Sequence, residues 1–473
     1  MKERSIKKNA ILNILKKCVN IVIPLIIYPY VSRVLGAQTY GKYAFAESVM
    51  GYIALISGFG ISTYAIREIA KVRDDQNKVT QFSAEIFTIN LVTMLIALTV
   101  LGTMLLLVPR LHETRSLFGI MAVDVLFSTF SRDWLTEAYE DYTYITMRYL
   151  FFQILSAIAI LLFVRTPNDV VIYACLRCAA TVGGYMVSIL YTRKYAPICL
   201  CTLKRLRGHW KPLFVFFGCS CASAIYIHSD VTILGFYKND TDVGIYSIVS
   251  KIYTLVKSFV NAIVLVMIPR VSYYVGNHKE KHYADLIRSA ENILTMIILP
   301  AAVGVWCLSG DLIMALAGEE YTAGAGALKI LAVSLIFAVF SYLYAYGCLI
   351  PNGMDQYFFK ASIASAVLNI LGNLILIPLF GIDAAAMTTL LAEIIMYWMT
   401  SRYAGKNRLV KHRGSLFMTA ISLIECIIIY VQSLFIKQCS FHSVIRIILL
   451  FIGSVISYLV LLAVGCVMRR NRA

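Results

Sequence analysis
Charge is scarce in this 473-residue chain: Asp, Glu, Lys and Arg together make up 15% of it, and only 26 residues are acidic. With a mean hydropathy of +0.75, so little charge excludes a water-soluble domain; the chain needs lipid as its solvent. No loop between apolar runs exceeds about 20 residues, which excludes a soluble catalytic or nucleotide-binding domain. A Walker A sequence is lacking too, so an ATP-driven pump is excluded on this chain. The basic start has no small-x-small cleavage site before the apolar run continues past Tyr30, and it reads as an uncleaved first span. Cysteine is present at 12 positions, mostly inside apolar runs, where it packs as a small hydrophobe. Cys175 and Cys178 form a C-x-x-C without histidine partners, so no metal is expected there.

What is present is apolar sequence in lengths that cross a bilayer. At roughly 20 residues per span, fourteen segments qualify: about 11–31, 42–65, 83–108, 116–137, 144–164, 168–191, 212–235, 243–268, 289–309, 327–350, 358–379, 382–401, 415–436 and 444–468. Lys and Arg alternate between the loops joining them. The set that includes both tails carries 29, and the opposite set carries 9. The excess of basic residues on one side places both termini in the cytoplasm. The formal charge of +17 is then a topology signal with an attraction to anionic lipid, and no nucleic-acid partner is expected.

A weak repeat spans about 200 residues. Leu35-Gly36 is followed by Gly41-Lys42-Tyr43, and Leu234-Gly235 by Gly244-Ile245-Tyr246. An even number of spans separates the copies, so the repeat is parallel, with two six-helix halves about an axis along the membrane normal. In the eighth span, Ser247, Ser250, Lys251, Thr254, Lys257, Ser258 and Asn261 share one helical face, bordered by Tyr246 and Tyr253. Such a face cannot be turned to lipid, where unpaired polar groups cost several kcal/mol. It faces protein or an internal cavity. The equivalent positions of the second span include Glu47, Ser48, Gly51 and Gly58; packing through small residues accounts for that helix equally well.

Charges within spans are the candidate functional groups. A lysine at the bilayer centre costs about 2.5–3.5 kcal/mol, so Lys251 and Lys257 need an anionic ligand or an acidic partner such as Glu47 or Asp230. Arg177 lies deep in the sixth span, while Lys16 or Lys17 is shallow enough to snorkel. Arg33, at the outer end of the first span, meets an anion or a headgroup. Asp124, Ser128, Ser131 and Arg132 form a stripe in the fourth span, with Asp133 and Glu137 at its cytoplasmic end. Asp124, Glu47 and Asp230 are the candidates for proton or sodium coupling, with a structural bridge from Asp124 to Arg177 as the plainer reading. Basic groups outnumber what the loops require, in a setting rich in Tyr, Ser and Thr, which suits an anionic substrate bearing hydroxyls.

Tyr28-Pro29-Tyr30-Val31-Ser32-Arg33-Val34-Leu35-Gly36, followed by Tyr40-Gly41, resembles the first hairpin of the Wzx-type oligosaccharide flippases, in the polysaccharide transporter family of the multidrug/oligosaccharidyl-lipid/polysaccharide exporter superfamily. Trp134-Leu135, Glu140, Tyr144-Ile145 and Arg148 resemble the family's segment after span four, with Ala138 where a glycine usually stands. Val243-Gly244-Ile245-Tyr246 and Ile268-Pro269-Arg270-Val271-Ser272 resemble hallmarks of the second half. The resemblance covers residues 5–150 and 212–275 best and is silent on the sugar.

It implies an all-α integral membrane protein of about fourteen transmembrane helices, with two six-helix lobes in a V over residues 1–206 and 207–405 and an extra helix pair over 406–473. It also implies a transporter, not an enzyme, in a bacterial plasma membrane. The cargo would be a polyprenyl-diphosphate-linked oligosaccharide moved from the cytoplasmic to the outer leaflet by alternating access, for cell-surface polysaccharide synthesis. The family's cationic lumen maps by position onto Lys251, Lys257 and Arg177. No cofactor is expected beyond a coupling proton or sodium ion, and a polysaccharide polymerase is the expected partner beyond lipid. The rival readings are a lipid II flippase, a cation-coupled small-molecule exporter and, from a different class, a membrane polysaccharide polymerase or glycosyltransferase. The last wants an acidic extracytoplasmic loop, and 310–326 offers only Asp311, Glu319 and Glu320.

Overall fold
The computed structural model describes residues 6–406, 415–439 and 441–470, and every regular element among them is helical. In hydrocarbon the backbone has to satisfy its own hydrogen bonds within each segment, which leaves helices as the solution for such a sequence. The elements are α1 Ile6–Gly58, α2 Ile61–Val72, α3 Gln76–Leu107, α4 Arg115–Ser131, α5 Asp133–Ala138, α6 Tyr142–Phe163, α7 Val170–Thr192 and α8 Arg207–Tyr237. They continue with α9 Asp240–Gly276, α10 Glu280–Cys307, α11 Ser309–Leu316, α12 Ala325–Tyr342, α13 Asp355–Phe380, α14 Ile382–Lys406, α15 Leu416–Gln438 and α16 Ser443–Arg470. Two compact units divide the chain, Met1–Gly244 and Ile245–Ala473.

Among the described residues, eleven segments are long and apolar enough to cross a membrane. The first, Val22–Val72, contains a break at Gly36 and so carries both of the first two expected spans. Gly36 has φ 71° and ψ 167°, a conformation that a Cβ forbids, which is why the chain turns there. Helix α4, of 17 residues, and α8 lie outside those eleven and hold the expected fourth and seventh segments. Leu106 and Leu107 are 77% and 74% exposed; in water that would be a liability, and against lipid it is ordinary.

Within the first unit the repeated glycine motif meets its own copy. A Cβ on Gly41 would overlap the carbonyl oxygen of Asp240, and a Cβ on Gly244 would overlap that of Ala37. Each glycine thus faces the residue four positions before the other. Gly235 lies equally close to the ring of Phe45. Arg110 closes the crossing: its Nε donates to the Gly235 carbonyl at 2.9 Å, and its guanidinium pairs with Asp240.

The expected fourth span is shorter than its apolar run. Helix α4 stops at Ser131, and Arg132 turns left-handed at φ 49° before α5 begins. The stripe of four therefore ends at Ser131, and Asp133 and Glu137 belong to a separate short helix. Arg132 is 1% exposed and donates to the Pro197 carbonyl at 3.1 Å and to Thr192 Oγ1 at 3.3 Å. Its acceptors are neutral; burial and the nearby Arg193 bring it down to about 10, so it stays cationic at physiological pH. It pins the chain leaving α7. Burial pushes Glu137 up from the usual carboxylate range, against the pull of Lys16 and Arg148. At the start of α3, the Asp75 carboxylate accepts the amides of Asn77 and Lys78, and hydrogen bonds from Lys78 hold it low.

In the second unit, α14 packs on α12 and α13 through the small residues Ala384, Ala385 and Ala386, all 0% exposed. A hydrogen-bonded chain fixes the seam: Thr388 Oγ1 donates to Asn373 Oδ1 at 2.5 Å, and Asn373 donates to Asn369 at 3.1 Å. Helix α12 runs into a π-helical stretch, Leu343–Leu349, from which Tyr344 donates to the buried Glu291 of α10 at 2.9 Å. Helix α15 packs against α10 and α16.

Candidate functional site
Arg177 sits on α7, one helical turn beyond Tyr173, so both side chains project from the same face. The Tyr173 ring meets Tyr43 of α1 edge-on at 4.7 Å between centroids. Tyr43 in turn donates to Glu47 Oε1 at 3.4 Å, one turn along. Tyr28, Tyr43, Tyr173 and Glu47 all act electrostatically on Arg177, and Arg177 acts on Tyr149 of α6. The break at Gly36 places Tyr28 and Glu47 on separate limbs of α1, able to approach one guanidinium from two directions. Among the described residues, the Arg177 guanidinium makes neither an ion pair nor a hydrogen bond. It is a cation with its donors unspent, ringed by phenols.

Around this centre the other candidates take definite places. Asp124 accepts a hydrogen bond from Thr181, one turn beyond Arg177, and feels Arg177 without bonding to it. The bridge expected between Asp124 and Arg177 is thus replaced by a hydroxyl. Lys16 lies over the Tyr149 ring at 5.6 Å, and Tyr149 donates to Asn20. Lys17 falls where side chains are outside the described part of the structure. On α8, the His228 ring packs against Gly51, leaving no room for a side chain there, and lies 5.8 Å from Tyr52. Glu47 acts on His228, and Asp230 acts on Tyr52. Thr232 donates to Ser48 at 2.9 Å. Arg33 is exposed.

In the second unit Lys257 of α9 donates to Glu393 Oε1 of α14 at 2.5 Å, and Tyr253 donates to the same oxygen at 2.9 Å. Glu393 is 2% exposed. Glu393 is thus an acidic partner of Lys257 on a neighbouring helix of the same unit. Lys251 acts electrostatically on Tyr321. Ser247 and Tyr246 are buried, Asn261 is half-buried, and Thr254 and Ser258 are exposed, so the stripe spreads over more than one environment. Ser247 Oγ and Asn261 Oδ1 have no hydrogen-bond partner among the described residues.

A buried pair of this kind stabilises little in itself, but losing one member leaves a stranded charge, at about 3–5 kcal/mol when fully buried. Lys257→Met should lower the melting temperature of the detergent-solubilised protein clearly more than Lys257→Met combined with Glu393→Leu. Equal losses from the single and double variants would sink the coupling.

Glu393 and the tyrosines around Arg177 escaped sequence reasoning as site residues. Tyr173 was legible as the same-face neighbour of Arg177. Glu393 lies 136 residues from Lys257, and no local period links them. Among the described residues no group of three or more His, Cys, Asp or Glu could hold a metal ion.

Residues 6–275 match the family model described as polysaccharide biosynthesis protein, and residues 202–450 match the model for lipid II flippase MurJ. The chain is 25% identical over 415 residues to the "Putative O-antigen transporter" of Escherichia coli (strain K12), covering 86% of this chain and 98% of that one. It is 22% identical over 353 residues to the succinoglycan biosynthesis transport protein ExoT of Rhizobium meliloti (strain 1021), covering 70% and 66%. In fold it is similar to lipid II flippase MurJ in an inward closed conformation, with a TM-score of 0.79 at 15% identity over 96% of this chain and 98% of that one.

Proposed function
The chain belongs to the polysaccharide biosynthesis protein family, and on that premise we propose that it is a flippase for a polyprenyl-diphosphate-linked oligosaccharide. It is a multi-pass membrane transporter. The cargo moves from the cytoplasmic to the outer leaflet of a bacterial plasma membrane, with both termini of the carrier cytoplasmic, and a polysaccharide polymerase receives it. Relatives named for O-antigen and succinoglycan transport support this cargo class. At the site, the observation that carries it is Arg177, a half-buried cation whose hydrogen bonds are unspent among the described residues and whose neighbours are tyrosines and Glu47.

The physics of the cargo fits that group. A diphosphate is too strongly hydrated to enter hydrocarbon alone, and a guanidinium replaces the lost water with paired N–H donors. Phenol rings offer flat faces to sugars and hydroxyls to their polar edges. The polyprenyl tail stays in lipid. With the inside negative, each negative charge moved outward releases about 2.3 kcal/mol per 100 mV, so export runs with the membrane potential. Proton or sodium coupling through Asp124, Glu47 or Asp230 would add to that drive.

The test is the leaflet distribution of lipid-linked oligosaccharide in cells lacking the protein. Accumulation on the cytoplasmic face, cleared by the wild-type chain, is the expected result. Unchanged outer-leaflet glycolipid and polymer, with no second flippase present, would remove the reading. A second cargo, lipid II, is favoured by the match of residues 202–450. It is decided in the same cells by asking whether the peptidoglycan precursor accumulates instead.

A further inference from the structure
Helix α15 sets Ser422, Glu425, Ile429 and Ser433 on its buried face at helical spacing. Glu425 is 0% exposed. Its Oε1 accepts the hydroxyl of Ser457 on α16 at 2.7 Å, and its Oε2 has no hydrogen-bond partner among the described residues. One turn back along α15, Ser422 and Tyr458 share a hydrogen bond at 3.1 Å. About two turns the other way, Gln432 lies against Gly453, with its side-chain carbonyl also unpartnered.

No described cation reaches this carboxyl. Arg446, the basic residue near the outer end of α16, is bonded to Asp311 of α11 at 3.3 Å. It stands eleven residues before Ser457, roughly 16 Å of helix at about 1.5 Å per residue. Lys437 is twelve residues from Glu425, roughly 18 Å away on the same count. The titratable groups facing Glu425 are Cys426 on its own helix with Cys307 of α10 beyond it, and Tyr458 on α16. None of the three is a base that could pair with a carboxylate. Counted from the start of α15, Glu425 is about 14 Å in, close to the middle of a ~30 Å hydrocarbon layer.

A bare carboxylate at that depth, with one hydroxyl as its only polar contact among the described residues, carries a desolvation cost that none of them offsets. A metal cation would need several more oxygens than the single Ser457 hydroxyl supplies. A proton needs none. We propose that Glu425 is a proton-binding site in the C-terminal helix pair, loaded at neutral pH, and that as a neutral acid it holds α15 against α16. Release of that proton leaves an unpaired charge in the seam and loosens the two helices. The site stands apart from the Arg177 and Lys257 clusters and does not depend on the cargo.

Infrared difference spectra of the purified full-length protein in lipid nanodiscs, wild type minus Glu425→Gln, read the protonation state directly. At pH 7 the wild type should show a protonated-carboxyl C=O band that shifts in D2O, is absent from Glu425→Gln and gives way to carboxylate bands as the pH is raised. In Ser457→Ala, which keeps the acid and deletes its hydrogen bond, the band should move to higher frequency; this variant also serves if Glu425→Gln does not fold. Carboxylate bands at pH 7 in place of the carboxyl band overturn the proposal. So does an unmoved band in Ser457→Ala. Loss of the carboxyl band on adding sodium at fixed pH also overturns it, making the site one for a metal cation.

Discussion
Arg177→Gln is expected to reach the membrane at the wild-type level and yet to flip its cargo about ten- to a hundredfold more slowly. The first half of that expectation follows from what Arg177 does not do. Its guanidinium makes no ion pair and no hydrogen bond among the described residues, so removing the charge breaks no direct bond and takes only a longer-range attraction from Glu47 and Asp124. The second half follows from what it would do with an anion. A hydrogen bond to a charged group contributes about 1.5–3 kcal/mol, and about 1.4 kcal/mol is a factor of ten in an equilibrium. Arg177→Lys keeps the charge and loses the planar fork, and should fall between the two. The measurement is clearance of cytoplasmic-leaflet glycolipid in the deletion strain, normalised to protein in the membrane. Wild-type clearance by Arg177→Gln would show that the headgroup does not use this residue.

A larger effect, of a different kind, is expected at Gly41 and Gly244. Alanine at either position places a methyl group inside a backbone carbonyl, that of Asp240 or that of Ala37. No side-chain rotation relieves such an overlap, because both colliding atoms are helix backbone. The helices would have to move apart, opening the contact that Arg110 and Asp240 close from the side. We expect either alanine variant to lose most of its monodisperse, folded yield after extraction, and Gly244→Val to lose all of it. Gly102, whose surroundings are open, is the control: Gly102→Ala should purify like the wild type. Size-exclusion profiles of equal expression cultures decide it, and a normal profile for Gly41→Ala would mean that the crossing is looser than described. The reciprocal overlap gives each glycine of the repeat a physical reason: each sits against backbone that would collide with a Cβ.

Much of the architecture was legible in the chain because a bilayer is a nearly uniform solvent. Whether a segment crosses it depends on the composition of about 20 consecutive residues, and its direction on the basic residues at its ends. Both are local properties, and so is the kink at Gly36, which needs only a residue without a Cβ. The face of α9 carrying Lys251 and Lys257 was likewise visible from period alone. The end of α4 was not. Apolar Trp134 and Leu135 follow the charged pair Arg132-Asp133, and the left-handed turn at Arg132, bonded to Thr192 and Pro197, marks the end of the helix at Ser131.

The sequence by itself determined that the chain spans a membrane many times, that it turns at Gly36 and which charges fall within apolar runs. Tertiary structure decided which groups several of those charges meet. It gave Lys257 to Glu393, left the donors of Arg177 unspent among tyrosines from different helices, and set Glu425 beside a serine instead of a cation. The physical reason is range. Hydropathy and helical period act over a turn or a span, whereas the cost of a buried charge depends on the atoms within a few ångströms of it. Those atoms come from helices dozens to more than a hundred residues away in the chain.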